Sequence, residues 1–155
     1  MPHVPPSWIE SGCLFFITIC ADRKKTVVFD KIQYEQIIQS AMFYHKAGKW
    51  WVRLFLVMPD HIHAIMAFDR SLCMQDVVTD WKRYISRQAG VIWQRDFVDH
   101  RLRRDESLEE KSFYIRQNPV RAGLVADADD WLYVIDDSSI QNAEGRACSP
   151  SAPPA

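Results

Sequence analysis

Two histidines one residue apart, His61 and His63, follow the turn-forming pair Pro59-Asp60. Strand side chains alternate, so both imidazoles would face the same way, with Cα atoms about 6.5–7 Å apart at a rise of roughly 3.3 Å per residue. Two neutral imidazoles so placed can converge on one metal ion. Two surface histidines sharing a strand by chance fit the same pattern. Tyr114 and Asn118 form a second pair, spaced i, i+4 and therefore on one face of a helix, with Lys111 and Arg121 nearby. A phenol among cations and beside a metal-bound phosphate could act as a nucleophile, although its ordinary pKa of about 10 demands activation. A helix tyrosine with its hydroxyl in water fits as well. Asn118-Pro119 also reads as an N-cap followed by proline at N1.

A third set is basic. Lys82, Arg83, Arg87, Arg95, Arg101, Arg103 and Arg104 are interleaved with Trp81, Tyr84 and Trp93. Cations neutralise phosphate and aromatic faces stack on bases, which is what single-stranded or hairpin DNA needs. Trp81 is expected in the core rather than on DNA. The net charge is only −1, but residues 81–104 hold seven basic groups against two acidic ones, and residues 122–155 hold one against six. A local basic segment can attract phosphate even on a neutral chain, and it can equally be a solvated helix face.

These groups need elements to hold them. Leu14 to Cys20 is apolar and β-branched and reads as a central strand. Residues 31–46 carry apolar side chains at spacings of three and four, an amphipathic helix with Gly48 as its stop. Trp51 to Met58 and Ile62 to Phe68 are strands joined by so short a turn that they form an antiparallel hairpin. Ser71 is expected to cap a helix that ends near Gly90, and a short strand is expected around Phe97–Leu102. Ser107-Leu108-Glu109-Glu110 is a capping box opening another helix. That helix must end near Asn118, because Pro119 disfavours helical geometry in the residue before it. The order β-α-β-β-α-β-α predicts an α+β fold: a ferredoxin-like or RRM-like antiparallel sheet with helices on one face.

With 155 residues there is room for one ordinary domain, expected over 12–137, after an N-terminal arm at 1–11 and before a disordered tail at 138–155. Hydrophobic residues at 48% and charged residues at 25% exclude a disordered or collagenous chain. No run is apolar enough to span a membrane and no signal peptide is visible, so a cytoplasmic protein with no membrane partner is expected. The four cysteines form no CxxC pair, which argues against a zinc ribbon and leaves reduced thiols as the expectation.

The stretch Met58-Pro59-Asp60-His61-Ile62-His63 resembles the HUH motif (His-hydrophobe-His) of single-strand DNA nucleases, in the version found in IS200-like tyrosine transposases. Tyr114-Ile115-Arg116-Gln117-Asn118-Pro119-Val120-Arg121-Ala122-Gly123-Leu124-Val125 looks like the "YIxxNPVRAGLV" block of their REP-associated branch, and Trp93 to Arg103 is similar to that branch's "W-x-x-x-F-x-D-H-x-x-R" segment. Three blocks in this order over roughly residues 12–126 are specific. One departure is Trp131-Leu132-Tyr133-Val134, where the family often has a Trp-Pro-Trp-Ser-like stretch.

The resemblance implies the HUH endonuclease fold. It also implies that Tyr114 attacks a phosphodiester of single-stranded DNA near a palindromic hairpin, leaving a 5′-phosphotyrosine and a free 3′-hydroxyl. It implies a divalent metal, Mg²⁺ or Mn²⁺, on His61, His63 and Asn118, DNA contacts from the basic set together with Arg121, no nucleotide cofactor, and action as a monomer or homodimer. A non-catalytic DNA- or RNA-binding module of RRM-like fold is the main rival. A nucleotide hydrolase using His-x-His-x-His is a weaker one, because position 65 is Ile.

Overall fold

The computed structural model describes residues 14–25, 28–103 and 107–147. The arm at 1–11, Arg104 and residues 148–155 lie outside the described residues. Five strands form one antiparallel sheet: β1 (Leu14–Cys20), β2 (Trp51–Val57), β3 (His61–Ala67), β4 (Val98–Arg101) and β5 (Val134–Asp136), in the spatial order β4-β1-β3-β2-β5. The helices are α1 (Lys31–Lys46), α2 (Met74–Ala89), α3 (Leu108–Arg116), α4 (Asn118–Arg121) and α5 (Asp137–Ala147). Among the described residues no helix is long and apolar enough to cross a membrane.

Alternation along the strands divides the interior in two. Ile17 and Ile19 of β1, Phe55 and Val57 of β2, and Ile62, Ala64 and Met66 of β3 face the larger core, which α1 and α2 cover with Ile37, Ala41, Val78, Trp81 and Ile85. Leu54, Leu56, Met58 and Ile65 face the other way and form a smaller core with Ile115 of α3. A register shift between Val52 and Leu54 lets β2 serve both faces: the extra residue turns Val52 to the large core and Leu54 to the small one. The two long helices therefore cover one face, as expected, and α3 docks on the opposite face.

Local chemistry explains most boundaries. Asp30 accepts from the Gln33 amide at 2.8 Å while the Gln33 side chain accepts from the Asp30 amide, a reciprocal cap on α1. Gly48 and Gly90 follow α1 and α2 at φ 74 and 70, where a side chain would be strained. Ser107 caps α3 by accepting from the Glu110 amide at 3.2 Å. The start of α2 differs from expectation: Cys73, not Ser71, stands at the N-cap, and no side chain caps the helix.

Two elements depart from the sequence reading. β5 pairs with β2 and completes the sheet, although only three residues long. The tail expected to be disordered from 138 is instead helical as far as Ala147, with Ile140 buried in the large core. The Trp131–Tyr133 stretch is also structural. Trp131 donates its indole N–H to the Val57 carbonyl at 3.0 Å, and Tyr133 stacks on Tyr34 at 4.0 Å.

Candidate active site

β3 begins at His61, and the pleat sends His61 and His63 to the α3 side of the sheet while Ile62 is fully buried on the other side. The two imidazoles converge, with Nε2 atoms 3.1 Å apart. That spacing fits a shared metal: with bonds of about 2.1 Å, adjacent corners of an octahedron lie about 3.0 Å apart.

Each ring is anchored at its other nitrogen. Asp60 Oδ1 lies 2.6 Å from His61 Nδ1, and Asp60 also pairs with Arg23 at 3.3 Å. A carboxylate only accepts, so the His61 proton is assigned to Nδ1 and its Nε2 presents a lone pair. His63 Nε2–H then donates to His61, and His63 Nδ1 accepts from the Thr18 hydroxyl at 3.2 Å. Because a hydroxyl can also accept, Thr18 serves the alternative tautomer, in which His63 Nε2 is free to ligate. The His63 pKa is lowered to about 4 by burial first, then by His61 and Arg121, so the ring is neutral near pH 7.

Tyr114 lies on α3 and is 65% exposed. Its ring face meets the Arg121 guanidinium at 4.0 Å. The same guanidinium donates to the Tyr114 carbonyl at 2.8 Å and to Asn118 Oδ1 at 2.7 Å. Asn118 is thus no N-cap: Gln117 stands at that position of α4, and the amide of Asn118 faces Arg121 instead. The Arg121 charge is also the smallest of the three causes that lower the His63 pKa. Burial pushes the Tyr34 phenol up to about 12 and keeps it protonated within the core.

The basic set divides. Arg83, Arg87, Arg95, Arg101, Arg103 and Arg121 are exposed. Arg83 and Trp93 help line a shallow groove with Ser86, Ile92 and Gln94. Lys82, expected among the DNA-facing cations, is instead buried, with its ammonium donating to the carbonyls of Gln94 (2.8 Å) and Arg95 (3.2 Å). It ties α2 to the following loop. Trp81 is fully buried, as expected, and donates to Ser40 Oγ at 2.8 Å.

Sequence reasoning missed the roles of Asp60 and Thr18. Asp60 could have been suspected from its place next to His61. Thr18 carried no signal, because its partnership depends on the β1–β3 register that sets it opposite His63.

No protein-family model matches the chain. A Haemophilus influenzae protein named as a REP-associated tyrosine transposase is 29% identical over 156 residues, covering 86% of this chain and 84% of its own length. The REP-associated tyrosine transposase of Escherichia coli is 24% identical over 131 residues, covering 81% of this chain and 77% of its own. Among solved structures, a REP-associated tyrosine transposase bound to a REP hairpin superposes with a TM-score of 0.68 at 21% identity, over 90% of this chain and 83% of that one. The fold is therefore that of the solved relative, and along most of their length the chain is similar to REP-associated tyrosine transposases.

Proposed function

We propose that this protein is a transposase, a metal-dependent single-stranded DNA endonuclease and strand transferase that acts beside palindromic repeats folded as hairpins. The observation that carries this reading is the imidazole pair: two nitrogens 3.1 Å apart, each ring fixed from behind by a hydrogen-bond partner. The hairpin substrate is drawn from the structural relative, which is bound to a REP hairpin. Exposed cations at Arg83, Arg87, Arg95, Arg101 and Arg103 support it by offering phosphate contacts.

His61, His63 and Asn118 would hold the divalent ion, Mg²⁺ or Mn²⁺, which supplies Lewis-acid polarisation of the scissile phosphate when bound. The chain's own residues do the rest. Tyr114 Oη forms a bond to phosphorus and loses its proton to water, while the bond from phosphorus to the 3′-oxygen breaks and that oxygen takes up a proton. The product is a 5′-phosphotyrosine and a free 3′-hydroxyl. The ester is conserved, so an incoming 3′-hydroxyl can reverse the step and join strands without ATP. Asp60 and Thr18 fix the ring orientations.

The test is incubation of the protein with an end-labelled hairpin oligonucleotide bearing a single-stranded flank, with Mn²⁺. A labelled band that protease digests is expected. The His61→Ala/His63→Ala variant should lose that band and still shift the hairpin in a native gel. An undiminished adduct in that variant or in excess chelator would overturn the metal-dependent reading.

A further inference from the structure

Tyr114, Asn118 and Arg121 are spaced i, i+4, i+7. The turn through Gln117 is helical and joins α3 to α4, so the three fall on one stripe. Pro119 is buried beneath that stripe, and its carbonyl accepts from the Leu124 amide at 2.9 Å, which fixes α4 in place. Arg121 is exposed, yet among the described residues its side chain makes three contacts, and all of them are to Tyr114 or Asn118. It lies on the Tyr114 ring, bonds the Tyr114 carbonyl, and bonds the one oxygen of Asn118 that a metal could use. An amide oxygen engaged by a guanidinium at 2.7 Å is a charge-assisted hydrogen-bond acceptor, and a cation must either displace that partner or share the oxygen with a like charge beside it. The guanidinium also places a fixed positive charge near the imidazole pair, where it is felt at His63.

We propose that Arg121 is a latch: a positioning residue that holds the Asn118 amide oxygen closed against the divalent ion and keeps the Tyr114 ring parked until substrate phosphate draws the guanidinium away. This rests on the reading of Asn118 as a metal ligand. The device couples two events that would otherwise be independent. An arriving phosphate offers Arg121 a better partner than a neutral amide, because a guanidinium matches a phosphate in both charge and fork geometry. Releasing Asn118 completes the metal's protein ligands, and releasing the ring face lets the phenol turn toward the phosphorus. The site therefore assembles fully only with DNA in it. A purely structural role, in which Arg121 merely caps the carbonyls at the end of α3, makes no demand on metal binding.

Mn²⁺ affinity of the DNA-free protein, read by electron paramagnetic resonance of the unbound ion, separates these roles. Asn118→Ala should weaken binding. Arg121→Ala should tighten it, by about threefold to tenfold for the loss of one part-exposed charge-assisted bond. In the Asn118→Ala background the same Arg121 substitution should give a clearly smaller gain. Arg121→Met keeps the aliphatic stem on the Tyr114 ring and replaces the alanine variant if circular dichroism shows that one to be unfolded. Unchanged or weaker binding in the Arg121 variants, with Asn118→Ala weaker, removes the latch and leaves the metal set standing. An equal gain with and without Asn118 reduces Arg121 to simple charge repulsion and also removes the latch. Wild-type affinity in Asn118→Ala removes both the ligand assignment and the latch.

Discussion

The Thr18 hydroxyl reaches across the β1–β3 ladder to His63 Nδ1 at 3.2 Å. A strand neighbour with no motif of its own thereby fixes the ring orientation of a proposed metal ligand. Thr18→Val keeps the shape of the side chain and deletes the hydroxyl. The fold should survive, and Mn²⁺ affinity should drop about tenfold, the lower end of what loss of an outer hydrogen-bond partner costs a metal site. Titration of Mn²⁺ against the folded variant measures it, and unchanged affinity would show that the contact is incidental.

Tyr114→Phe removes only an exposed hydroxyl, so its melting temperature should match the wild type within the effect of about 0.5 kcal/mol typical of surface changes. The covalent adduct with hairpin DNA should vanish on a denaturing gel. An adduct that persists would take Tyr114 out of the nucleophile's role.

His63 gives the protein an acid sensitivity. Its folded pKa, about 4, lies below the unfolded value of about 6.5, so the folded state binds fewer protons between those limits. This contribution to stability is fully present above pH 6.5 and is lost as the pH falls through 4. With metal excluded by chelator, the melting temperature should fall from pH 6.5 to 5, a window above the ordinary carboxylate pKa values. His63→Gln should flatten that slope. An unaltered slope in the variant would place the acid sensitivity elsewhere.

Lys82 and the exposed arginines should separate cleanly. Lys82→Met leaves the Gln94 and Arg95 carbonyls without their donor, and should cost about 1–3 kcal/mol in chemical denaturation with little effect on hairpin affinity. Arg87→Ala or Arg95→Ala should leave stability alone and reduce the slope of log affinity against log salt by about one each. A salt slope changed by Lys82→Met and not by the arginine variants would reverse the assignment.

Ile115 is the anchor of α3. It is 1% exposed and packs with Leu54, Leu56, Met58 and Ile65. Ile115→Ala should cost about 2–5 kcal/mol, as truncation of a buried aliphatic side chain does. Because Ile115 is next to Tyr114, adduct formation should fall even at temperatures where the variant remains folded. Full activity in the folded variant would show that the nucleophile does not depend on this docking.

Much of the fold was legible because it rests on local rules. The period of two in β1–β3, the period near 3.6 in α1 and α2, Ser107 before α3, and Gly48 and Gly90 after the long helices all act within a few residues of their own position. The departures are non-local. β5 is too short to announce itself and exists because β2 offers an open edge, and α5 follows it because Ile140 finds the core. Lys82 reads as a surface cation in sequence. It is buried because the loop at Gln94–Arg95 brings two carbonyls to its ammonium, and nothing within helical reach of Lys82 reveals that.

For the site, spacing alone put His61 with His63 and Tyr114 with Asn118 and Arg121, because the first set lies on one strand and the second on α3 and α4, which a helical turn joins in phase. The sequence could not determine which side of the sheet α3 would take, that Thr18 would stand opposite His63, or that the Asn118 oxygen would be engaged by Arg121 rather than capping its own helix. The third is a local i, i+3 contact on α4; the first two were decided by the packing of Ile115 and by strand register. Both depend on contacts between residues far apart in the chain, and such contacts exist only once the whole core has condensed.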